Sequence, residues 1–437
     1  MLLKNMLTYI PQHLFNPDIF ILEGGKMNDD IFQDLLKSSN IFKNKEVLRP
    51  SYVPDILPHR EKNIEELASI LVPALKGETP SNVFIYGKTG TGKTAVTRYV
   101  GKQLSIKGSE LNRTTHFIYI NCEIVDTQYR VLQNIANHFM EDWSDRIPFT
   151  GWPTDEVYSK LVRRIDNTGG VVVIVLDEVD KLKGDEVLYN LSRMNNDLKK
   201  AKTSLIGISN DLKFTEFLDP RVKSSLGEEN MIFSPYAADQ LEDILGERAK
   251  LAFKENATSE SVIPLCSALA AQEHGDARRA LDLLRVSAEI ADRMGENRIT
   301  EKHVRMAVNK IETDRVKEVI HTLPAQSKMV LKAVVIGNQI FDTPPNTGDI
   351  YNVYKQLCMR TGMDVLTQRR IADLVSELDM LGIITARVIS KGRYGRTKEI
   401  QVATPIEKIE EILSQDDIIP NIPDMKELKL KIQSRLL

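Results

Sequence analysis

A chain of 437 residues, 42% hydrophobic and 27% charged, holds enough apolar material for roughly two to three domains, each with its own core. Its formal net charge of −3 excludes a uniformly basic nucleic-acid binder, so any such surface must come from local segregation of charge. Cys122, Cys266 and Cys358 stand too far apart for a metal or C-x-x-C spacing, and no apolar stretch approaches the ~20 residues of a membrane span, which points to a reducing, intracellular home without disulfides or a membrane partner.

Residues 1–25 mix short apolar pieces with Pro11, Pro17 and the Gly24-Gly25 break, and they lack the basic start and uninterrupted apolar core of a signal peptide. An amphipathic stretch with Ile31, Leu35 and Leu36 on one helical face follows, and residues 1–40 are expected to form an extension ahead of the folded body. Leu48-Arg49-Pro50-Ser51-Tyr52-Val53-Pro54 is held extended by its prolines and leads through Leu57-Pro58-His59-Arg60-Glu61 into a helix predicted over 63–71. The plain reading of this segment is a strap across a sheet; a second reading adds an adenine pocket.

From 81 to 236, apolar strand-like runs at 83–86, 117–120, 171–176, 205–208 and 231–233 alternate with helical patterns. This alternation predicts a parallel sheet with helices on both faces and ligands at the carboxyl ends of its strands. After the first run, Gly87-Lys88-Thr89-Gly90-Thr91-Gly92-Lys93-Thr94 fits G-x-x-x-x-G-K-[ST], with a helix predicted from Ala95 to 104 directly behind it. Lys88, Thr89, Gly90, Thr91, Gly92 and Ala95 would then wrap the backbone around a triphosphate, Lys93 would reach its β and γ oxygens, and Thr94 would hold Mg2+. The bland alternative is a Gly-rich strand-to-helix turn. The third run ends in Leu176-Asp177-Glu178, the form of a Walker B. Asp177 would hold Mg2+ through water and Glu178 would orient and polarise the attacking water, although acids after a strand are also ordinary helix caps. The fourth run ends in Ser209-Asn210, an amide placed to contact the γ phosphate or the water. Leu218-Asp219-Pro220-Arg221 then sets Arg221 at the domain edge, where it suits a finger reaching a neighbour's nucleotide; the simpler alternative is a solvated Arg.

Between 237 and 312 no strand-like run remains, and helical patterns at 239–253, 262–274, 277–294 and 301–311, the last capped by Thr300, predict a small all-α lid. Gly275-Asp276-Ala277-Arg278-Arg279 opens the third of these; Arg278 would deliver a guanidinium to the phosphates, or either Arg would simply pair with nearby carboxylates. After Glu312, helices at 316–323, 327–336, 348–361 and 367–381 precede strands at 383–390 and 399–403, the order of a winged helix. From Lys317 to Glu399, twelve Lys and Arg face eight Asp and Glu, so basic charge is segregated here. Arg387, Lys391, Arg393, Arg396 and Lys398 crowd the hairpin, which suits phosphate contact in a minor groove. Thr367, Gln368, Arg369 and Arg370 open the fourth helix, the end that would enter a major groove, while Asp373, Glu377 and Asp379 are expected to face away. A protein-docking winged helix with a solvated basic loop is the alternative. Beyond Pro405 the acidic tail reads as a terminal helix and a short arm.

The phosphate loop, Asp177-Glu178, Asn210, Arg221 and the Gly-Asp-Ala-Arg set together resemble an AAA+ ATPase, in which the last three correspond to sensor 1, the arginine finger and sensor 2. More narrowly, LRPSYVPDILPHRE, GKTGTGKT, VVVIVLDEVDKL, LDPRVKSSL, FSPYAADQLEDILGERA and GDARRALDLLR occur in the order found in archaeal replication-origin initiators, relatives of the largest origin recognition complex subunit and its licensing partner. The resemblance implies an α/β AAA+ P-loop parallel-sheet core at 41–236, an all-α lid at 237–312 and a winged-helix DNA-binding domain at 313–404, with an extension at 1–40 and a tail at 405–437. It further implies ATP or ADP with Mg2+ between core and lid, Tyr236 and Arg248 at nucleotide-contacting positions, and Val53 and Pro54 on the adenine side. An insertion within 140–158, around Pro148-Phe149-Thr150-Gly151-Trp152, would also touch DNA. The function so implied is a slow ATPase that serves as a nucleotide-dependent switch: it binds double-stranded origin DNA, self-associates there and promotes loading of the replicative helicase, in the cytoplasm at the nucleoid. The rival is an AAA+ ATPase acting on a protein partner or a sliding clamp; nothing here resembles the Ser-Arg-Cys finger motif of clamp loaders, and the basic hairpin suits a duplex better.

Overall fold

The computed structural model describes residues 40–50, 52–140, 142–216, 218–226, 229–390 and 396–416; nearly all of the expected extension, the hairpin tip and the expected arm lie outside them. The Val- and Ile-rich runs, too short for helices, become five parallel strands: β1 (Val83–Gly87), β2 (Thr115–Asn121), β3 (Gly170–Asp177), β4 (Ala201–Ser209) and β5 (Glu229–Phe233), in the order β2-β3-β4-β1-β5. Successive side chains of a strand point to opposite faces, so β1 to β4 feed two cores, while the edge strand β5 buries only Met231 and Phe233 and leaves Ile232 exposed. Val171, Val173 and Val175 pack toward α1 (Glu61–Lys76) and α2 (Lys93–Glu110). Val172, Ile174 and Leu176 pack toward α3 (Gln128–His138), α4 (Thr154–Thr168), α5 (Glu186–Arg193) and α6 (Pro220–Leu226). The register sets Asn121 beside Asp177, Asp177 beside Ile208 and Tyr86 beside Ser209, which gathers the carboxyl ends of β1, β3 and β4 at one edge.

The lid is built from α7 (Ala238–Ala252), α8 (Val262–Glu273), α9 (Ala277–Arg293) and the first half of α10 (Glu301–Thr322). Two sequence expectations change here. The N-terminal strap does not simply cross the sheet: Leu48, with Ile41 and Val47 ahead of it, is buried in the lid core, Lys43 N and Asn44 N donate to Ala252 O at 2.8 and 3.0 Å, and further along Leu57 packs against the sheet core and Arg60 lies over the Phe233 ring. The strap therefore ties lid to core. The helices predicted at 301–311 and 316–323 are one helix, because no Gly or Pro interrupts the stretch and each half has a core to bury itself in. Val304 joins the lid core, whereas Ile320 joins the core of the next unit.

That unit packs α11 (Ala325–Ile340), α12 (Thr347–Thr361) and α13 (Gln368–Met380) against an antiparallel hairpin of β6 (Ile384–Ser390) and β7 (Arg396–Val402), and α14 (Ile406–Ser414) closes it. Strand β7 opens at Arg396 rather than at 399 because its first residues complete the hairpin ladder with Ser390 and Ile389. Lys328 Nζ on α11 lies 2.5 Å from Asp416 Oδ2 just past α14, and both side chains are 6% exposed, so this ion pair is internal. Among the described residues no helix is long and apolar enough to cross a membrane.

Candidate active site and nucleic-acid interface

A cleft of about 780 Å3 opens where the strand ends meet the lid. Its walls include Thr89, Gly90, Thr91, Gly92, Lys93, Thr94 and Ala95 of the loop, Asp177, Glu178 and Asn210 from the sheet, Val53 and Pro54 from the strap, and Tyr236, Arg248 and Arg278 from the lid side. Lys88 is not among the lining residues; it contributes its carbonyl, which accepts from Thr91 Oγ1 at 2.8 Å and from Lys93 Nζ at 2.8 Å. Gly90 and Gly92 have φ of 70° and 89°, a region glycine adopts freely. A Cβ at Gly90 would also fall onto the Asp276 carboxylate, and one at Gly92 would sit 2.7 Å from Tyr236 Oη.

Lys93 is buried and its ammonium donates to Gly87 O at 2.7 Å and to Asn210 Oδ1 at 2.9 Å, in addition to Lys88 O. Burial pushes it down to about 8; Asp177 opposes that shift and Arg278 adds to it. Thr94 Oγ1 donates to Asp177 Oδ2 at 2.7 Å, and Glu178 N donates to Asp177 Oδ1 at 2.9 Å. Glu178 itself takes a left-handed backbone, φ 56°, which turns it at the strand end. Its carboxyl is raised first by burial and then by Glu123, Asp177 and Asp180. Asp180 accepts from Asn210 N at 3.2 Å and from Ser209 Oγ at 3.0 Å, and so fixes the amide that faces Lys93.

The donor set fits a hydrated magnesium ion. A neutral hydroxyl and a carboxylate converge beside the loop, and hard oxygen donors are what that ion takes. No group of three or more His, Cys, Asp or Glu that could hold a metal exists among the described residues. An ion here would therefore draw the rest of its shell from phosphate oxygens and water, the usual habit of magnesium.

The lid sorts its two arginines. Arg279 pairs with Glu273 at 2.9 and 3.0 Å, while Arg278 faces the cleft. Asp276 caps α9 by accepting from Arg278 N at 2.7 Å. Arg248 is buried, donates to Val47 O at 3.2 Å and stacks on Tyr52, so it braces the strap while lining the cleft. Arg221 stands outside the cleft, with its side chain 79% exposed and its guanidinium on Asp219 at 3.1 and 3.0 Å.

At the opposite end of the chain, Thr367 caps α13 by accepting from Arg370 N at 3.4 Å, and Gln368 and Arg369 are exposed beside it. The acids of α13 do not all turn away as expected. Glu377 lies seven positions along, two helical turns, and its carboxylate comes within 3.6 Å of Arg370; Asp379 turns to the hairpin and accepts from Ala386 N at 3.0 Å. Lys398 donates to Ser376 Oγ at 2.7 Å, which braces β7 on α13. Arg393 lies outside the described residues, as does the side chain of Arg396. Within 140–158 Phe149 is 71% exposed, and Lys160, just beyond that stretch, sits over the Trp152 ring.

Three family models match this chain in order: an AAA domain over 76–213, a Cdc6 AAA+ ATPase-type lid domain over 242–309 and a CDC6 C-terminal winged helix domain over 318–412. The ORC1-type DNA replication protein 1 of Methanosarcina acetivorans is 59% identical over 402 residues, covering 91% of this chain and 96% of that one. The chain belongs to the ORC1/Cdc6 family. An ORC1-type DNA replication protein of Pyrococcus abyssi is 58% identical over 398 residues, covering 90% and 95% of the two chains. The structure of the Aeropyrum pernix Orc1 protein in complex with DNA superposes with a TM-score of 0.76 at 46% identity, covering 92% of this chain and all of that one. The α/β AAA+ core, all-α lid and winged helix of the family are thus the architecture of this chain.

Two residues beside this ORC1/Cdc6 cleft have contacts that the sequence alone does not assign, Arg60 at the end of the strap block and Tyr119 in a strand. Arg60 is buried, donates through Nε to Thr91 O at 2.9 Å and through Nη2 to Ser234 O at 2.6 Å, and lies 3.9 Å from the Tyr236 ring centroid. It clamps the phosphate loop to the junction between sheet and lid. Tyr119, on β2, donates to Asp177. An Arg after His59 in a pre-helix turn and a Tyr inside a strand give no spacing from which these roles can be read.

Proposed function

We propose that this protein is an ATP-dependent replication initiator: a nucleotide held between core and lid governs how its winged helix engages double-stranded origin DNA. The reading rests above all on the convergence, at three neighbouring strand ends, of Lys93 with Asn210 and of Thr94 with Asp177. Lys93 leaves the loop carbonyls to balance the charge of the β and γ phosphates, and Asn210 steadies the terminal phosphate or the water. Thr94 and Asp177 would hold Mg2+, which supplies further neutralisation of those oxygens. Glu178, its carboxyl raised first by burial, orients and polarises the attacking water. Arg278 faces the phosphates from the lid. Val53, Pro54 and Tyr236 enclose the remainder of the nucleotide, with Arg248 bracing the strap. Turnover is slow, so the nucleotide acts chiefly as a switch between ATP and ADP forms.

The functional divisions are drawn at 41–236 for the core, 237–312 for the lid and 313–404 for the winged helix, with α10 crossing the last boundary and α14 packing on the winged helix from beyond it. Self-association on DNA lets Arg221 reach a neighbour's nucleotide, and the assembled protein promotes loading of the replicative helicase at the nucleoid. Arg369 reads a base edge, whereas the hairpin charges Arg393, Arg396 and Lys398 hold phosphates.

The test is a mobility shift with origin-proximal and scrambled duplexes at two salt concentrations, with and without ATP. Wild type is expected to prefer the origin duplex, and Arg369→Ala to narrow that preference by about 1–3 kcal/mol, the value of one bidentate pairing with a base edge. Arg396→Ala is expected to weaken both duplexes alike and to make the logarithmic salt slope shallower by about 0.9 for each phosphate the hairpin no longer neutralises. No preference in wild type, together with an unchanged slope in Arg396→Ala, would favour a winged helix that docks a protein or a clamp.

A further inference from the structure

Asp177 is 5% exposed, and the hydrogen bonds it accepts from Glu178, Thr94 and Tyr119 all come from neutral donors. Glu178 N occupies Oδ1, while Oδ2 accepts from Thr94 Oγ1 at 2.7 Å and from Tyr119 Oη at 2.5 Å. The position of the tyrosine has a structural origin. The register pairs Tyr119 with Val175 and Asn121 with Asp177, so Tyr119 stands two residues before the partner of Asp177, on the same face and within diagonal reach. Arg98 of α2 lies over the phenol ring, 3.9 Å from its centroid, and both residues line the cleft. The ring is thus held from above by a cation while its hydroxyl grips the carboxylate.

We propose that Tyr119 is a positioning residue for the divalent cation: it fixes the Asp177 carboxylate toward Thr94 without sharing its negative charge. A Lys or Arg at this position would also orient the carboxylate, but it would neutralise the group the cation needs. A phenol avoids that conflict. Placing Arg98 on the face of the ring keeps a guanidinium next to the site without an ion pair being needed to hold it. Without the hydroxyl, Asp177 keeps Thr94 and the Glu178 amide but gains freedom to rotate about its last side-chain bond.

This inference rests on the nucleotide reading above, and its test keeps the two separable. Tyr119→Phe removes one oxygen and leaves the ring beneath Arg98. The measurement is titration with fluorescent ATP and ADP analogues, in excess EDTA and at graded Mg2+. Affinity in EDTA is expected to stay within about twofold of wild type, while the Mg2+ concentration giving half of the Mg2+-dependent gain rises about tenfold, as when a residue orienting a metal ligand is removed. An unchanged Mg2+ requirement would overturn the proposal, and so would an equal weakening with and without Mg2+, which is the mark of a purely structural role. Lys93→Ala is measured alongside. Wild type that binds no nucleotide at all would sink the nucleotide reading itself. Wild-type binding that is weakened by Lys93→Ala and untouched by Tyr119→Phe would sink only the role of Tyr119.

Discussion

Lys93 holds its ammonium among three oxygens that it must give up to meet a phosphate, and Glu178 sits at the end of β3, with β4 between it and the strand that leads to Lys93. Their removal should therefore separate binding from turnover. Lys93→Ala is expected to lower ATP affinity by about 10- to 150-fold, the worth of a hydrogen bond to a charged group. Glu178→Ala should keep affinity and lose hydrolysis, because it acts on the water alone. Calorimetric titration and phosphate release on the two variants check this; equal weakening of affinity in both would refute the division of labour. The same residues show what can be read from a sequence. Lys93, Thr94 and Asp177 are legible because a strand, a tight turn and a helix leave their signature within a few positions. Arg60 and Tyr119 are not, because their partners Thr91 and Asp177 lie 31 and 58 residues away and meet them only when sheet and strap assemble.

Elements are legible where apolar periodicity is continuous and obscure where it pauses. Between Ile311 and Val316 the chain offers only Glu312, Thr313, Asp314 and Arg315, which looks like a break; the helix continues because each end is anchored in a different core. The course of the strap is hidden for the related reason that Ile41 and Leu48 bury themselves in lid helices some two hundred residues later. The internal ion pair of Lys328 and Asp416 gives a prediction at this scale. Lys328→Ala leaves a carboxylate in a dry site and should destabilise the winged helix by about 3–5 kcal/mol, whereas Lys328→Met combined with Asp416→Leu should return close to wild type or exceed it. Urea denaturation followed by circular dichroism measures both. Full stability in the single variant would show that water reaches the pair.

For the whole molecule, the separation of Arg221 from its own cleft is the testable feature. Arg221→Ala should leave the nucleotide affinity of the monomer unchanged and lower the turnover that depends on protein concentration or on DNA; arginine fingers supplied in trans are worth about a thousandfold or more in phosphoryl transfer. Affinity of the dilute monomer and hydrolysis across a concentration series distinguish the outcomes. A large drop in monomer affinity would place this Arg in its own site.

Helix α10, shared between two cores, has a mechanical consequence. At about 1.5 Å per residue, its 22 residues form a strut about 33 Å long, without a proline or glycine at which to fold. A strut clamped at both ends transmits angle rather than absorbing it. If the lid tilts by about 10° as the nucleotide changes, the far end sweeps about 6 Å, close to two base-pair steps of duplex. Under the proposed switch, the lid would then work as the short arm of a lever whose long arm carries the DNA reader, and gearing of this kind would turn the departure of one phosphate into a shift of register.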